Sequence, residues 1–162
     1  MGGRVDDWIL RPARMEDAEA LWRNCFSQNT LSETREHLAW CLRQMEKGRL
    51  VRLVAEAGGQ VVANAQLILW RDRAEIASLV VAEGYRRRGI ATALVAALTA
   101  AARQWAVQQL EIGARASERE LIALYRRWGF VPAREIELPH LSGDNQVIYL
   151  IKGLSPPEPG EP

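Results

Sequence analysis

The sequence predicts a single α/β (α+β) domain built around a mixed β-sheet. Three observations support this fold class: an early pair of β-rich segments, an alternation of strands and amphipathic helices after that pair, and the absence of an internal repeat or linker. The chain has 162 residues, of which 48% are hydrophobic and 25% charged, as in average globular proteins. We expect the domain to span residues 1–154 and the Pro-rich tail, residues 155–162, to be disordered.

The first third of the chain is predicted to form a strand and two helices. Residues 8–11 have the composition of a short strand, and residues 15–26 place apolar side chains at helical spacing. Thr30 and Glu33 fit a capping box at the start of a second amphipathic helix, which Gly48 closes.

A hairpin and a buried strand are predicted next. Residues 50–57 and 60–70 are rich in β-forming side chains, and the Gly58-Gly59 pair between them suits the positive φ angles of a tight turn. The nearly continuous apolar run of residues 74–81 is typical of a central strand covered on both faces.

The rest of the chain alternates helix and strand. The spacing of Ile90, Leu94 and Leu98 predicts a helix that lies on the sheet. The later elements are a strand near residues 110–112, a helix over residues 117–128, a β segment from Phe130, a turn at residues 143–145 and a last strand over residues 146–154.

Composition excludes several classes of protein. The formal net charge is only +1, from 21 basic and 20 acidic residues, so the chain as a whole does not attract nucleic acid or an anionic membrane. No apolar run approaches the length of a membrane span, and the first residues lack the apolar region of a signal peptide, so we expect a cytoplasmic protein with no membrane or nucleic-acid partner.

Cysteine and histidine do not predict a metal site. Cys25 and Cys41 are the only cysteines and have no metal-ligand spacing, so we interpret them as core residues. His37 and His140 are far apart in the sequence and are interpreted as structural.

The segment that predicts chemistry is a buried strand, a basic glycine-containing loop and the start of a helix, residues 79–92. The first N–H groups of a helix have no intrahelical partner and attract anions, and Gly89 allows a ligand close to the main chain. Arg86–Arg88 would add attraction for phosphate. Ile90-Ala91 replaces the Lys-Ser/Thr of a nucleotide-binding P-loop, which excludes that class. A nucleic-acid patch and a solvated basic loop without a ligand remain as alternatives.

The chain resembles the GCN5-related N-acetyltransferase (GNAT) family. Residues 86–91, Arg-Arg-Arg-Gly-Ile-Ala, match the family's acetyl-CoA signature, [Gln/Arg]-x-x-Gly-x-[Gly/Ala]. Residues 124–130, Leu-Tyr-Arg-Arg-Trp-Gly-Phe, match its second hallmark, LYxxxGF. The order of predicted elements from Trp8 to Leu154 follows the family plan, which implies a mostly antiparallel mixed sheet flanked by about four helices.

The resemblance implies that acetyl-CoA is the co-substrate and that no metal is required. The main chain of the strand before the loop would bind the pantetheine arm, and main-chain amides of the loop would hold the pyrophosphate. The cofactor-binding residues implied in this way are Leu79, Val80, Val81, Arg86, Arg87, Arg88, Gly89, Ile90, Ala91 and Thr92.

The resemblance also implies a catalytic acid and a candidate base. Tyr125 would donate a proton to the departing thiolate, and its alternative role is a packed core aromatic. Glu75 would accept a proton from the amine, directly or through water, and its alternative role is an ion pair with Arg71 or Arg73. Many relatives carry Asn where this chain has Glu118, which we interpret as a first-turn Glu that complements the helix dipole.

The resemblance implies an N-acetyltransferase acting on a primary amine of a small molecule or protein. The acceptor would bind between residues 29–36 and residues 135–145, where acidic side chains would favour a cationic amine or would only be solvated. The acidic side chains are Glu33, Glu36, Glu135, Glu137 and Asp144. Trp40 and Trp70 could line this pocket, although we expect core positions for them. The alternative function is a non-catalytic acetyl-CoA-binding sensor or interaction module, and a homodimer is common in families of this kind.

Overall fold

The computed structural model describes residues 7–141 and 143–155. These residues form seven strands and four α-helices. The strands are β1 (Trp8–Pro12), β2 (Leu50–Ala57), β3 (Gln60–Leu69), β4 (Ala74–Val81), β5 (Gln109–Arg115), β6 (Val131–Glu137) and β7 (Gln146–Gly153). The helices are α1 (Ala18–Asn24), α2 (Leu31–Glu46), α3 (Ile90–Gln104) and α4 (Arg119–Arg127).

The strands form one mixed sheet in the order β1-β2-β3-β4-β5-β7-β6. Every neighbouring pair is antiparallel except β4 and β5, which are parallel and are joined by the crossover through α3. The predicted α/β class with a mostly antiparallel sheet is therefore confirmed, and β4 occupies the predicted central position.

Local sequence signals account for several boundaries. Gly58 and Gly59 have φ angles of 56° and 79°, and they join β2 to β3 in the predicted hairpin. The capping box is formed, because Thr30 Oγ1 accepts the Glu33 N–H and Glu33 Oε1 accepts the Thr30 N–H, both at 3.1 Å.

The first helix is shorter than predicted. Residues Met15–Asp17 form a 3-10 turn, and α1 begins only at Ala18. The reason is the Asp17 carboxylate, which accepts the Arg14 N–H at 2.8 Å and is paired with Arg11 at 2.7 Å. These bonds hold a tight turn ahead of the helix.

Each face of the sheet carries a layer of helices. Side chains of α3 and α4, including Leu94, Leu98 and Tyr125, join one apolar cluster with the sheet. Side chains of α1 and α2, including Leu21 and Leu38, form a second cluster. The sheet therefore separates two chemically distinct sides of the molecule.

Several sequence expectations concern the chain as a whole. Cys25 and Cys41 are both buried, as predicted. Within the described ranges, no helix is long and apolar enough to cross a membrane. Ser155 is the only residue of the expected tail among the described residues, and the rest of the tail lies outside them.

Candidate active site

The central feature of the site is a gap between β4 and β5. The two strands pair only over three residues, Ala74–Ile76 with Leu110–Ile112. Beyond Ile76, β4 has no pairing to β5 within the described part of the chain, although it remains paired with β3 as far as Val81. The gap therefore exposes a main-chain edge in the middle of the sheet.

A β-bulge turns β4 at the mouth of this gap. Ser78 has a positive φ of 54°, and the register of β3 against β4 shifts between Asn64 and Gln66. Asn64 Nδ2 donates a hydrogen bond to the Ser78 carbonyl at 3.0 Å and holds the bulge in place. A bulge re-aims the residues that follow it, here Leu79–Val81.

The basic loop leads from the end of β4 into α3. Gly89 is the N-cap residue of α3 with φ 83° and ψ 4°, and Arg87 also has a positive φ of 64°. A Cβ atom added at Gly89 would meet no atom within 4 Å, so the main chain there is open to a ligand. The N–H groups of the first turn from Ile90 are directed away from the helix, as an anion site requires.

The arginines of this loop have different surroundings. Arg86 Nε donates to the Val81 carbonyl at 3.1 Å and ties the loop to β4. The Arg88 guanidinium lies over the Tyr85 ring, 5.1 Å from its centre. The Ala82 N–H donates to the Val62 carbonyl on β3 at 2.8 Å, so the N–H of the preceding residue, Val81, points to the opposite side of β4, where the gap lies.

Glu75 lies on β4 just before the gap, and it is partly buried. Trp70 Nε1 donates to Glu75 Oε1 at 2.9 Å. Burial raises the pKa of the Glu75 carboxyl, the Trp70 hydrogen bond opposes this, and the nearby Glu111 adds to it. The predicted alternative, an ion pair with Arg71 or Arg73, is not found in the described residues, since Arg73 pairs with Asp72 and Glu111.

Glu111 is a buried carboxylate that the sequence reasoning missed. It lies opposite Glu75 in the β4 and β5 pairing, and its side chain is 3% exposed. Arg73 and Arg134 bind its two oxygens at 2.6 and 2.5 Å. Arg134 also lies 4.6 Å from the centre of the Tyr149 ring. The result is a rigid charged cluster beside Glu75.

Tyr125 is only 3% exposed and lies in the cluster of the α3 and α4 face. Its ring packs on Trp128 and Phe130, with centre distances of 5.7 and 6.4 Å. Burial, and secondarily the charge of Glu118, raise the pKa of the Tyr125 phenol, so it keeps its proton at neutral pH. The predicted core packing of this residue is therefore observed, which leaves its catalytic role a prediction.

Tyr125 and Glu75 belong to opposite faces of the sheet. Ala74 and Ile76 point into the cluster that contains Tyr125, so Glu75, between them, faces the other side.

Glu118 is the N-cap residue of α4, so it directly precedes the first turn in which the sequence analysis had placed it. Its Oε1 accepts the Arg115 N–H at 3.1 Å. The carboxylate therefore closes the turn between β5 and α4 and does not cap the helix.

The predicted acceptor segments show mixed outcomes. Three of their acidic side chains accept local hydrogen bonds: Glu33 in the capping box, Glu137 from Asn145, and Asp144 from the N–H groups of Ser117 and Gln146. The expectation that Trp40 and Trp70 would be core residues is wrong, because they are 42% and 47% exposed. Trp40 stacks on His37, and Trp70 binds Glu75, so each takes part in a surface contact.

The described residues hold no group of three or more His, Cys, Asp or Glu side chains that could bind a metal ion.

Comparison with curated proteins finds no match. Comparison with solved structures finds the ribosomal-protein-alanine N-acetyltransferase of Brucella melitensis at 27% identity and a TM-score of 0.76, covering 90% of this chain and 99% of that one.

Two further structures share the fold. The ribosomal-protein-S18-alanine N-acetyltransferase of Escherichia coli is 20% identical, with a TM-score of 0.74 and coverage of 96% of this chain and 99% of that one. The yncA protein of Salmonella typhimurium, solved with its cofactor acetyl-CoA, is 19% identical, with a TM-score of 0.76 and coverage of 91% and 94%.

A family model described as the acetyltransferase (GNAT) family matches residues 15–130. This match spans α1 to α4 and so includes the bulged β4, the gap and the loop at Gly89. The chain belongs to the GNAT family of acetyltransferases.

Proposed function

We propose that this protein transfers the acetyl group of acetyl-CoA to a primary amine of a small molecule or protein by direct attack. The observation that carries the proposal is the gap between β4 and β5, with the open main chain of Gly89 at the end of the same strand. A strand edge can pair with the amides of a pantetheine arm, and a helix N-terminus can hold a pyrophosphate.

The residues that would hold acetyl-CoA follow the path of β4 into α3. The main chain of Leu79, Val80 and Val81 would bind the pantetheine arm along the gap. The amides from Arg86 to Thr92 would surround the pyrophosphate, with Gly89 giving the closest approach. The solved yncA relative binds acetyl-CoA on the same fold, which supports this choice of ligand.

Acetyl-CoA supplies an acetyl group activated as a thioester. The amine nitrogen forms a bond to the acetyl carbon, and the bond from that carbon to sulfur breaks. The proton lost by the amine passes to Glu75, whose raised pKa makes it a stronger base than an exposed carboxylate. Tyr125 gives its proton to the sulfur, so that CoA leaves as a thiol.

The proposal is tested first by calorimetric titration with acetyl-CoA. The wild type should show saturable binding at one site, and Gly89→Glu should abolish it through bulk and negative charge. Gly48→Glu is the matched control, because Gly48 also has a positive φ, of 71°, and open surroundings, but follows α2. Equal loss of affinity in both variants, or normal affinity in Gly89→Glu, would refute the phosphate site.

A turnover assay distinguishes an acetyltransferase from a non-catalytic acetyl-CoA-binding module. The assay is the release of free CoA thiol in the presence of a panel of primary amines. Amine-dependent release supports the transferase, whereas tight acetyl-CoA binding without release by any amine supports the sensor.

A further inference from the structure

Arg52 is a buried arginine with no carboxylate partner in the described part of the chain. It lies on β2 and is 1% exposed. Its Nε donates to Asn64 Oδ1 at 2.7 Å, and its Nη1 lies 3.3 Å from His37 Nδ1 and 3.5 Å from Cys41 Sγ. None of these partners carries a negative charge, since the pKa of the His37 ring is lowered and that of the Cys41 thiol is raised, in both cases mainly by burial.

Other arginines with low exposure in this protein are neutralised. Arg11 pairs with Asp17 and Glu56, and Arg73 pairs with Glu111. Among residues 7–141 and 143–155, no carboxylate lies within ion-pair distance of Arg52. Burying a charge without a counter-charge is costly, so a positive charge kept here calls for an anion from outside the described chain.

One nitrogen of Arg52 is available for such an anion. Nη2 donates no hydrogen bond to the described residues. Every fully buried side-chain nitrogen or oxygen among those residues does have a hydrogen-bond partner. Nη2 is therefore not completely enclosed, although Arg52 as a whole is only 1% exposed. Phe26 covers the guanidinium from one side, with its ring centre 5.8 Å from Cζ, so the opening at Nη2 is narrow.

The sheet register places Arg52 on the same face as Glu75. Arg52 is opposite Gln66, which is opposite Ala77, and Ala77 lies two residues after Glu75 on β4. Strands are about 4.8 Å apart and rise about 3.4 Å per residue, so the Cα atoms of Arg52 and Glu75 are roughly 12 Å apart.

We propose that Arg52 binds a carboxylate of the acceptor, so that the acceptor is an amino-acid-like molecule whose amine reaches the gap beside Glu75. This inference rests on the proposed function and names its substrate class. Arg52 Nη2 would donate to the carboxylate, as guanidinium groups commonly do. The narrow opening selects a small molecule over an acidic side chain of a folded protein.

The closing experiment compares pairs of probes that differ only in the carboxylate. The probes are free L-amino acids and ω-amino acids, each with its carboxamide, and one short peptide with a free or amidated C-terminus. Thermal stability is measured for each probe with saturating CoA, which prevents turnover, and kcat/KM is measured with acetyl-CoA. The variants are Arg52→Met, Arg52→Lys and, as a matched control, Arg43→Met on the exposed side of α2.

In the wild type and in Arg43→Met, we expect at least one probe with a free carboxylate to raise the Tm of the protein more than the matching carboxamide does. That probe should also have a kcat/KM about 10- to 100-fold above its carboxamide, the size of a hydrogen bond to a charged group. Arg52→Met should remove the preference, so that the free carboxylate and its carboxamide have the same kcat/KM and raise Tm equally in that variant. Arg52→Lys should restore part of the preference, since it keeps the charge.

Two results would overturn the inference. In the first, no free carboxylate raises the Tm of the wild type more than its carboxamide does. In the second, Arg52→Met still prefers the free carboxylate to the carboxamide. Either can occur while acetyl-CoA binding and amine-dependent thiol release persist, so this failure is distinct from failure of the proposed function. If only the peptide pair shows a preference for the free carboxylate, the carboxylate that Arg52 binds is the C-terminus of a peptide acceptor.

Discussion

Replacing Gly89 by Ala tests the contribution of the backbone conformation of the loop, because Ala adds only a methyl group and no charge. Gly89 has φ 83°, a left-handed conformation that costs an L-residue about 1–2 kcal/mol. An added Cβ would meet no atom within 4 Å, so steric clash contributes nothing. The expected loss is therefore the conformational strain alone, about 1–2 kcal/mol in the free energy of unfolding and a fall in Tm of roughly 2–8 °C.

The same strain limits the effect on acetyl-CoA binding. If the loop instead relaxes by leaving the left-handed conformation, the unfolding free energy falls by less, and binding must restore the conformation. The full 1–2 kcal/mol would then correspond to a Kd raised by about 5- to 30-fold. Gly84→Ala is the matched control, because Gly84 lies in the same segment with open surroundings and no positive φ. Urea denaturation and calorimetry should show the loss only at Gly89. Equal losses in both variants, or none at Gly89, would refute the reasoning.

The remaining predictions concern the proposed acid, the proposed base and the charged cluster beside it. Tyr125→Phe should lower kcat by about 100-fold or more while acetyl-CoA affinity is kept, and calorimetry that shows equal loss of affinity would contradict its role as the acid. Glu75 must be ionised to accept a proton, and its pKa is raised above the ordinary 4.5, so kcat should fall as pH drops through that higher value. This fall in kcat at low pH should disappear in Glu75→Gln. In Trp70→Phe it should move to higher pH, because that variant loses the hydrogen bond that favours the ionised carboxylate. A fall that stays at the same pH in both variants would show that Glu75 is not the base. Glu111→Gln should cost about 1–3 kcal/mol in urea denaturation, because Arg73 and Arg134 lose a carboxylate but remain partly hydrated, and an unchanged midpoint would show that the cluster does not stabilise the fold.

The sequence predicted the elements of the fold because its local signals agree with the tertiary structure. Gly58 and Gly59 required a tight turn, and Thr30 with Glu33 required a helix start, whatever the rest of the chain did. The start of the first helix was predicted less accurately because Asp17 is paired with Arg11, a contact between separate elements. Long-range ion pairs leave no periodic pattern in a sequence.

The site was predicted only in part for a related reason. The glycine of the loop and the tyrosine of α4 lie in contiguous motifs, so a resemblance could identify them. Arg52 and Glu111 each occupy one position of an apolar strand, and alternation alone would place such residues toward solvent. Their burial depends on α2 in one case and on the arginines of neighbouring segments in the other, which only the folded arrangement shows.

The short pairing between β4 and β5 also divides the sheet mechanically. Strands β1–β4 are held to β5–β7 by three residue pairs of backbone and by the side chains packed above and below. A boundary with so few hydrogen bonds is where two halves of a protein can open independently. A ligand that pairs with the free edge of β4 would act as a substitute strand, adding hydrogen bonds across the weakest line of the molecule. We therefore expect a bound co-substrate to make the two halves of the sheet unfold more cooperatively.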